Sequence, residues 1–265
     1  MRLRNSLFWG IVLIVLAALL LLRQLQVIST GDVFGYFWPA LVVLFGLWLV
    51  LGALTRGKRL VGEYKLSVPL ESAKSGHIKL DHGAGRLTIR SGASSTELLN
   101  GAFGAEVDLT SRLDGDKLDV KLRNDPQIWA WIPGDSLDWE IALNREIPIS
   151  LKIDSGASSS RYDLSDLKVS ELNLDTGAST TEMTLPANAG ETHVDIDTGA
   201  STLRMTIPTG VSARIRTKTG VATVNVDTNR FPRLDGGFYQ SADYATATNR
   251  ADITIDAGVG TIEIK

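Results

Sequence analysis

Two segments of this 265-residue chain hold residues whose types and spacing could do chemistry together. They are Leu174-Asp175-Thr176-Gly177-Ala178-Ser179 and Ile196-Asp197-Thr198-Gly199-Ala200-Ser201. Two such Asp-Thr-Gly carboxylates sharing one proton could activate a water molecule and hydrolyse a peptide, the chemistry of an aspartic-type peptidase. The copy number argues against it. Ile153-Asp154-Ser155-Gly156-Ala157-Ser158 is a third copy, and looser ones start at Leu80, Thr217 and Ile255. A dyad needs two motifs brought together from separate lobes, and consecutive copies of one short repeat leave no room for a lobe between them. A peptidase using Asp175 and Asp197 is the remotest of the alternatives. The preferred reading is structural: each Asp accepts backbone N–H bonds and caps a turn.

The glycines Gly156, Gly177, Gly199 and Gly220 step by 21, 22 and 21 residues, the signature of a stacked repeat. Apolar residues alternate on both sides of each glycine, as in Leu172/Leu174 before Gly177 and Leu203/Met205 after Gly199. Each repeat therefore reads as strand, tight turn, strand, with the glycine supplying a positive φ. A single repeat cannot bury its apolar face, but stacked copies can. The predicted fold is an all-β, parallel β-solenoid-like stack with rungs of about 21 residues. The structural turn residues are Asp154, Gly156, Asp175, Gly177, Asp197, Gly199, Gly220 and Gly258. Asp154, Asp175 and Asp197 would form a column at about 4.7–4.9 Å spacing, with Lys218 in the next place. A cation bound along that column is the functional alternative to turn capping.

No other constellation emerges. The three histidines, His77, His82 and His193, have no companion at metal-ligand spacing, and there is no cysteine. Phosphate-loop, nucleophile-elbow and dinucleotide fingerprints are missing from the sequence. The residues point to no cofactor, no metal site and no enzyme.

The elements that would position the repeat begin with a different kind of chain. Residues 7–22 are an unbroken apolar run, and 33–54 form a second run without charge. The second is long enough to span a bilayer core of about 30 Å, and the first is slightly short. A cleaved signal peptide is the rival for the first run. Residues 1–59 are read as a two-helix transmembrane hairpin, which makes membrane lipid a partner. Arg2 and Arg4 precede it, and Arg56, Lys58 and Arg59 follow it, while its loop holds Arg23 against Asp32. The positive-inside rule then puts both termini, and the β domain, on the cytoplasmic side.

The β domain is read as residues 60–265, opening on a strand at Tyr64–Val68. Residues 1–59 carry six basic and one acidic residue; the other 206 carry 21 basic and 29 acidic, a net of −8. That balance argues against nucleic acid as a partner. Residues 97–149 depart from the repeat and read as further strands with longer turns. Within them Trp129 and Trp131 lie on a proline-bounded loop, a candidate partner contact because tryptophan is enriched at binding hot spots. An insertion at 229–250 reads as a loop over the last rung, followed by a closing hairpin from Ile253 to Ile264.

Several of these stretches resemble a known group. Phe8-Trp9-Gly10 and Phe37-Trp38-Pro39 resemble the membrane region of LiaF-like cell-wall-active antibiotic response proteins. Ser67-Val68-Pro69-Leu70, His82-Gly83-Ala84-Gly85-Arg86-Leu87, Trp139-Glu140-Ile141-Ala142-Leu143-Asn144, Ile147-Pro148, Tyr162-Asp163-Leu164-Ser165 and Ile255-Asp256-Ala257-Gly258-Val259-Gly260 resemble the domain called toast rack, kin to adhesin-type repeats. The group often has more than two spans, and most repeats here end in Ser where Gly is common. The resemblance implies a bacterial, multi-pass cell-membrane protein of the envelope-stress response. It implies a non-enzymatic regulator or scaffold acting through protein contacts, with a sensor kinase as the kind of membrane partner and self-association open. The alternative is an extracytoplasmic, adhesin-like surface-binding module.

Overall fold

The computed structural model describes residues 64–124 and 137–265. Residues 1–59, expected to form a membrane hairpin, and Trp129 and Trp131, expected on a contact loop, lie outside these residues. The described strands are β1 (Tyr64–Pro69), β2 (Ser75–Ser91), β3 (Glu97–Phe103), β4 (Val107–Asp114), β5 (Lys117–Asn124) and β6 (Trp139–Leu143). They continue with β7 (Pro148–Asp163), β8 (Lys168–Thr184), β9 (Glu191–Thr206), β10 (Ser212–Val226), β11 (Tyr239–Gln240) and β12 (Arg250–Ile264).

Six of them are long rungs of 15 to 17 residues, stacked in parallel in the order β2-β7-β8-β9-β12-β10. Each carries the repeat glycine near its middle, which divides it into a first and a second arm. In-register stacking makes ladders of like residues. Ile78, Leu151, Leu172, Val194, Ile253 and Ile215 form one inward column of the first arms. Ile89, Tyr162, Met183, Met205, Ile264 and Val226 form one of the second arms. Both arms feed a single apolar core. Each of its fully buried aliphatic side chains contributes roughly 1.5–3 kcal/mol.

The glycines do not make turns. Strand runs through Gly156, Gly177, Gly199, Gly220 and Gly258, and none of them has a positive φ. The residue type is required for a different reason. A Cβ at Gly177 would stand 2.8 Å from the carbonyl oxygen of Gly156, and one at Gly199 would stand 2.7 Å from that of Gly177. The same holds at Gly156 against Gly83, Gly258 against Gly199 and Gly220 against Gly258. The rungs approach backbone to backbone at this column, and only glycine fits.

Chain order is also broken. β12 lies between β9 and β10, parallel to both, so the last strand of the chain completes the penultimate rung. It is one long strand and not a closing hairpin. At the other end the place beside β2 is shared. β5 pairs its first arm and β6 its second, both in parallel. β4 then covers β5 antiparallel, and β3 and β1 extend the sheet beyond β6. The 229–250 insertion covers part of the last rung: β11 pairs only Arg214 and Ile215 of β10.

Candidate functional site

The Asp residues of the repeat lie two positions before the glycine, on the face of the first arms opposite the core. Register aligns Asp81, Asp154, Asp175, Asp197 and Asp256 in one row, with Arg123 at one end and Lys218 at the other. Lys218 therefore follows Asp256, and not Asp197 as chain order suggested, because β12 intervenes. The row is a carboxylate ladder closed by cations.

Lysines tie its first part together. Lys79 Nζ stands 3.0 Å from Asp154 and 3.4 Å from Asp81, and Lys121 Nζ 2.9 Å from Asp81. Burial pushes the Asp81 carboxyl up, but Lys121 and Lys79 together outweigh it and hold it below the ordinary range. The hydrogen bond to Asp154 raises the Lys79 ammonium in turn. Lys218 Nζ meets Asp256 at 3.1 Å. Asp175 and Asp197, in the middle of the row, are exposed. Among the described residues no backbone N–H donates to Asp154, Asp175 or Asp197. The turn-cap role falls away because strand continues through each junction and leaves no turn amide to cap.

What this row can do chemically is limited. Asp175 and Asp197 are register neighbours, but they belong to a run of five on an open face. A shared-proton dyad needs an isolated pair in an enclosed cleft. The depression of about 520 Å³ at the junction is lined by Asp81, His82, Gly83, Asp154, Ser155, Gly156 and Asp175 and is open. Among the described residues no group of three His, Cys, Asp or Glu side chains is placed to hold a metal ion.

The second arms carry the complementary arrangement on their outer face. Arg161, Glu182, Arg204 and Glu263 occupy one row on successive rungs. Arg161 Nη2 reaches Glu182 at 2.7 Å, and Arg204 bridges Glu182 at 3.7 Å and Glu263 at 3.5 Å. On the far edge the same row ends in Asn225.

The sequence reading gave His82 no partner. His82 is buried where the other rungs place Ser155, Thr176 and Thr198. Its Nε2 is 2.9 Å from the Leu137 carbonyl oxygen, and its ring meets Trp139 edge-on at 5.1 Å, which in turn meets Phe103 at 5.3 Å. Burial pushes its pKa down, against the Leu137 carbonyl and the Asp138 charge. The available signal was the column itself: a ring nitrogen where the three full copies of the repeat have a hydroxyl. Ser67, Ser94 and Asn100 likewise converge on Glu97 and hold its carboxyl down to about 2. That cluster borders an open depression of about 470 Å³, with Lys65, Arg90 and Glu140 around it.

Comparison with known proteins places this geometry. The family model for the N-terminal domain of toast_rack (DUF2154) matches residues 57–208. The model for the LiaI-LiaF-like transmembrane region matches residues 7–50. Neither describes an enzyme. The chain is similar to the crystal structure of a "putative cell adhesion protein" from Clostridium sporogenes ATCC 15579, with 22% identity and a TM-score of 0.69. That match covers 76% of this chain and 97% of the other, and at this identity it shows a shared fold. A "putative adhesin" from Bacteroides fragilis NCTC 9343 matches at 8% identity with a TM-score of 0.24, covering 77% of this chain and 99% of the other. No protein of curated function matches the chain.

Proposed function

The chain belongs to the family of the toast_rack N-terminal domain, and on that premise we propose that it is a membrane-anchored envelope-stress regulator or scaffold of bacteria. One observation carries the reading. A LiaI-LiaF-like transmembrane region at 7–50 stands directly ahead of the toast-rack domain at 57–208 in a single chain. The membrane segment holds the β domain at the bilayer, beside a membrane partner such as a sensor kinase. The β domain works by contact. Its ladder faces are polar and laced with ion pairs, which suits a docking surface better than a reaction centre.

The finer expectations belong to this proposal. The membrane region is a hairpin with spans near 7–22 and 33–54, followed by the β domain from about residue 60. The β domain faces the cytoplasm, following Arg2, Arg4, Arg56, Lys58 and Arg59. Trp129 and Trp131 are its candidate contact residues. The adhesin-like reading would place the same surface outside the cell.

A reporter of the envelope-stress response tests the regulatory role. Removal of the chain from its bacterium changes basal output or the response to a cell-wall antibiotic. The full chain restores it, and residues 60–265 without the membrane region do not. Output that is the same with and without the chain, before and after challenge, overturns the proposal.

A further inference from the structure

The stack has one edge that nothing in the described residues covers. β11 shields β10 at Arg214 and Ile215, and Ser241 N donates to the Ala213 carbonyl just before them. Beyond Ile215, β10 pairs with β12 alone, so its second arm, Val221 to Val226, is an edge strand. An edge strand presents a row of backbone N–H and C=O groups that another extended strand can pair. The core is open here too. Val224 and Val226 stand in the inward columns yet are only partly buried, and on the outer face Val221 is 76% exposed beside its register partner Val259 at 55%.

The other edges are defended. β4 carries Asp108, Arg112 and Asp114, and β1 carries Lys65 and ends on Pro69. Charge and proline are the devices that discourage pairing. The segment Val221-Ala222-Thr223-Val224-Asn225-Val226 has neither. The charged row Arg161-Glu182-Arg204-Glu263 turns neutral at this strand, with Asn225.

We propose that the second arm of β10 pairs antiparallel, about a twofold axis, with the same strand of a second copy of this chain. The occupant follows from composition. The segment is uncharged, so a second copy brings no like charge against itself. Twofold pairing sets Ala222, Val224 and Val226 of both copies on the same side, and the two cores become continuous. A twofold contact also closes on itself, whereas this edge placed on β1 or β4 of another copy would propagate a fibre.

Six paired residues a side bury less than the 1,200–2,000 Å² (approximately) of a standard interface. The pair is therefore weak in dilute solution and is favoured where a membrane confines both copies, a condition that rests on the proposed anchoring.

The chain has no cysteine, so single cysteines report contacts cleanly. Full-length chains bearing Val221→Cys, Thr223→Cys or Asn225→Cys are expressed in cells and treated with a short bifunctional maleimide. Ser111→Cys on the β4 edge is the control. The expected result is a cross-linked dimer at the three β10 positions, several-fold above Ser111→Cys. Adding Thr223→Lys to Asn225→Cys abolishes it, while resistance to limited proteolysis shows the chain still folded. A dimer yield no higher than the control, indifference to Thr223→Lys, or an adduct whose mass shows a different protein overturns the proposal. The cross-link is read in whichever cell fraction holds the chain. A failure of membrane anchoring then shows in the fractionation, separately from the fate of the edge.

Discussion

The repeat glycine is where a small residue has the largest structural effect. Its hydrogen faces a backbone carbonyl of the adjacent rung at a distance no Cβ tolerates. Gly177→Ala forces two rungs apart and is expected to cost about 1–3 kcal/mol, read as a lower denaturation midpoint in urea. The carboxylate row makes the opposite prediction. Asp175 has like charges on both neighbouring rungs, Asp154 and Asp197, and is exposed. Asp175→Asn is expected to stabilise by up to about 1 kcal/mol at low salt, with the gain fading as salt screens the row. Thermal melts at two ionic strengths check this, and a loss of stability would mean that the carboxylate has a partner such as a cation. His82 supplies a pH dependence. Burial holds its pKa below 6.5, so the unfolded chain binds a proton that the folded chain refuses. Its contribution is complete above pH 6.5 and shrinks as pH falls below that value. His82→Thr should flatten the loss of stability as pH falls below 6.5.

Among the elements, β12 has the most consequence for assembly. It sits between β9 and β10, and its end is bonded on both sides: Lys265 N to the Met205 carbonyl oxygen of β9, and Asp227 N, just after β10, to the Ile264 carbonyl oxygen. A chain ending at Asn249 loses a rung from inside the stack, and β10 loses its long partner. Such a truncation is expected to abolish the cooperative melt seen by circular dichroism; retention of a single sharp transition would contradict this ladder order. The sequence made the rungs legible but not this order. The inward columns could be read because burial imposes a period of two on Leu172, Leu174 and their equivalents. Whether β12 or β10 lies beside β9 could not, because their inward residues are nearly interchangeable: Ile253 for Ile215 and Ile262 for Val224. The glycine was visible at every junction, and its role was misassigned because a tight turn and a close backbone approach select the same residue. The Asx-cap reading of Asp154, Asp175 and Asp197 fell with the turn. His82 was visible only as an odd member of a hydroxyl column, since its contact with Leu137 spans 55 residues of chain.

Across the whole molecule, the chain joins a LiaI-LiaF-like transmembrane region to a toast-rack domain with polar, ion-paired ladder faces. The net charge of −8 over residues 60–265 disfavours laying the rack on anionic lipid. Sidedness decides which proteins it can meet. Thr209, exposed in the turn between β9 and β10, accepts a reporter cysteine without disturbing the core. Cells carrying full-length Thr209→Cys would be treated with a membrane-impermeant maleimide, intact and after lysis, with the membrane fraction collected each time. The expected result is a chain in the membrane fraction that labels only after lysis, with the rack on the cytoplasmic side beside a regulatory partner. Labelling of intact cells would contradict it and move the rack, and its partners, to the outer face of the membrane.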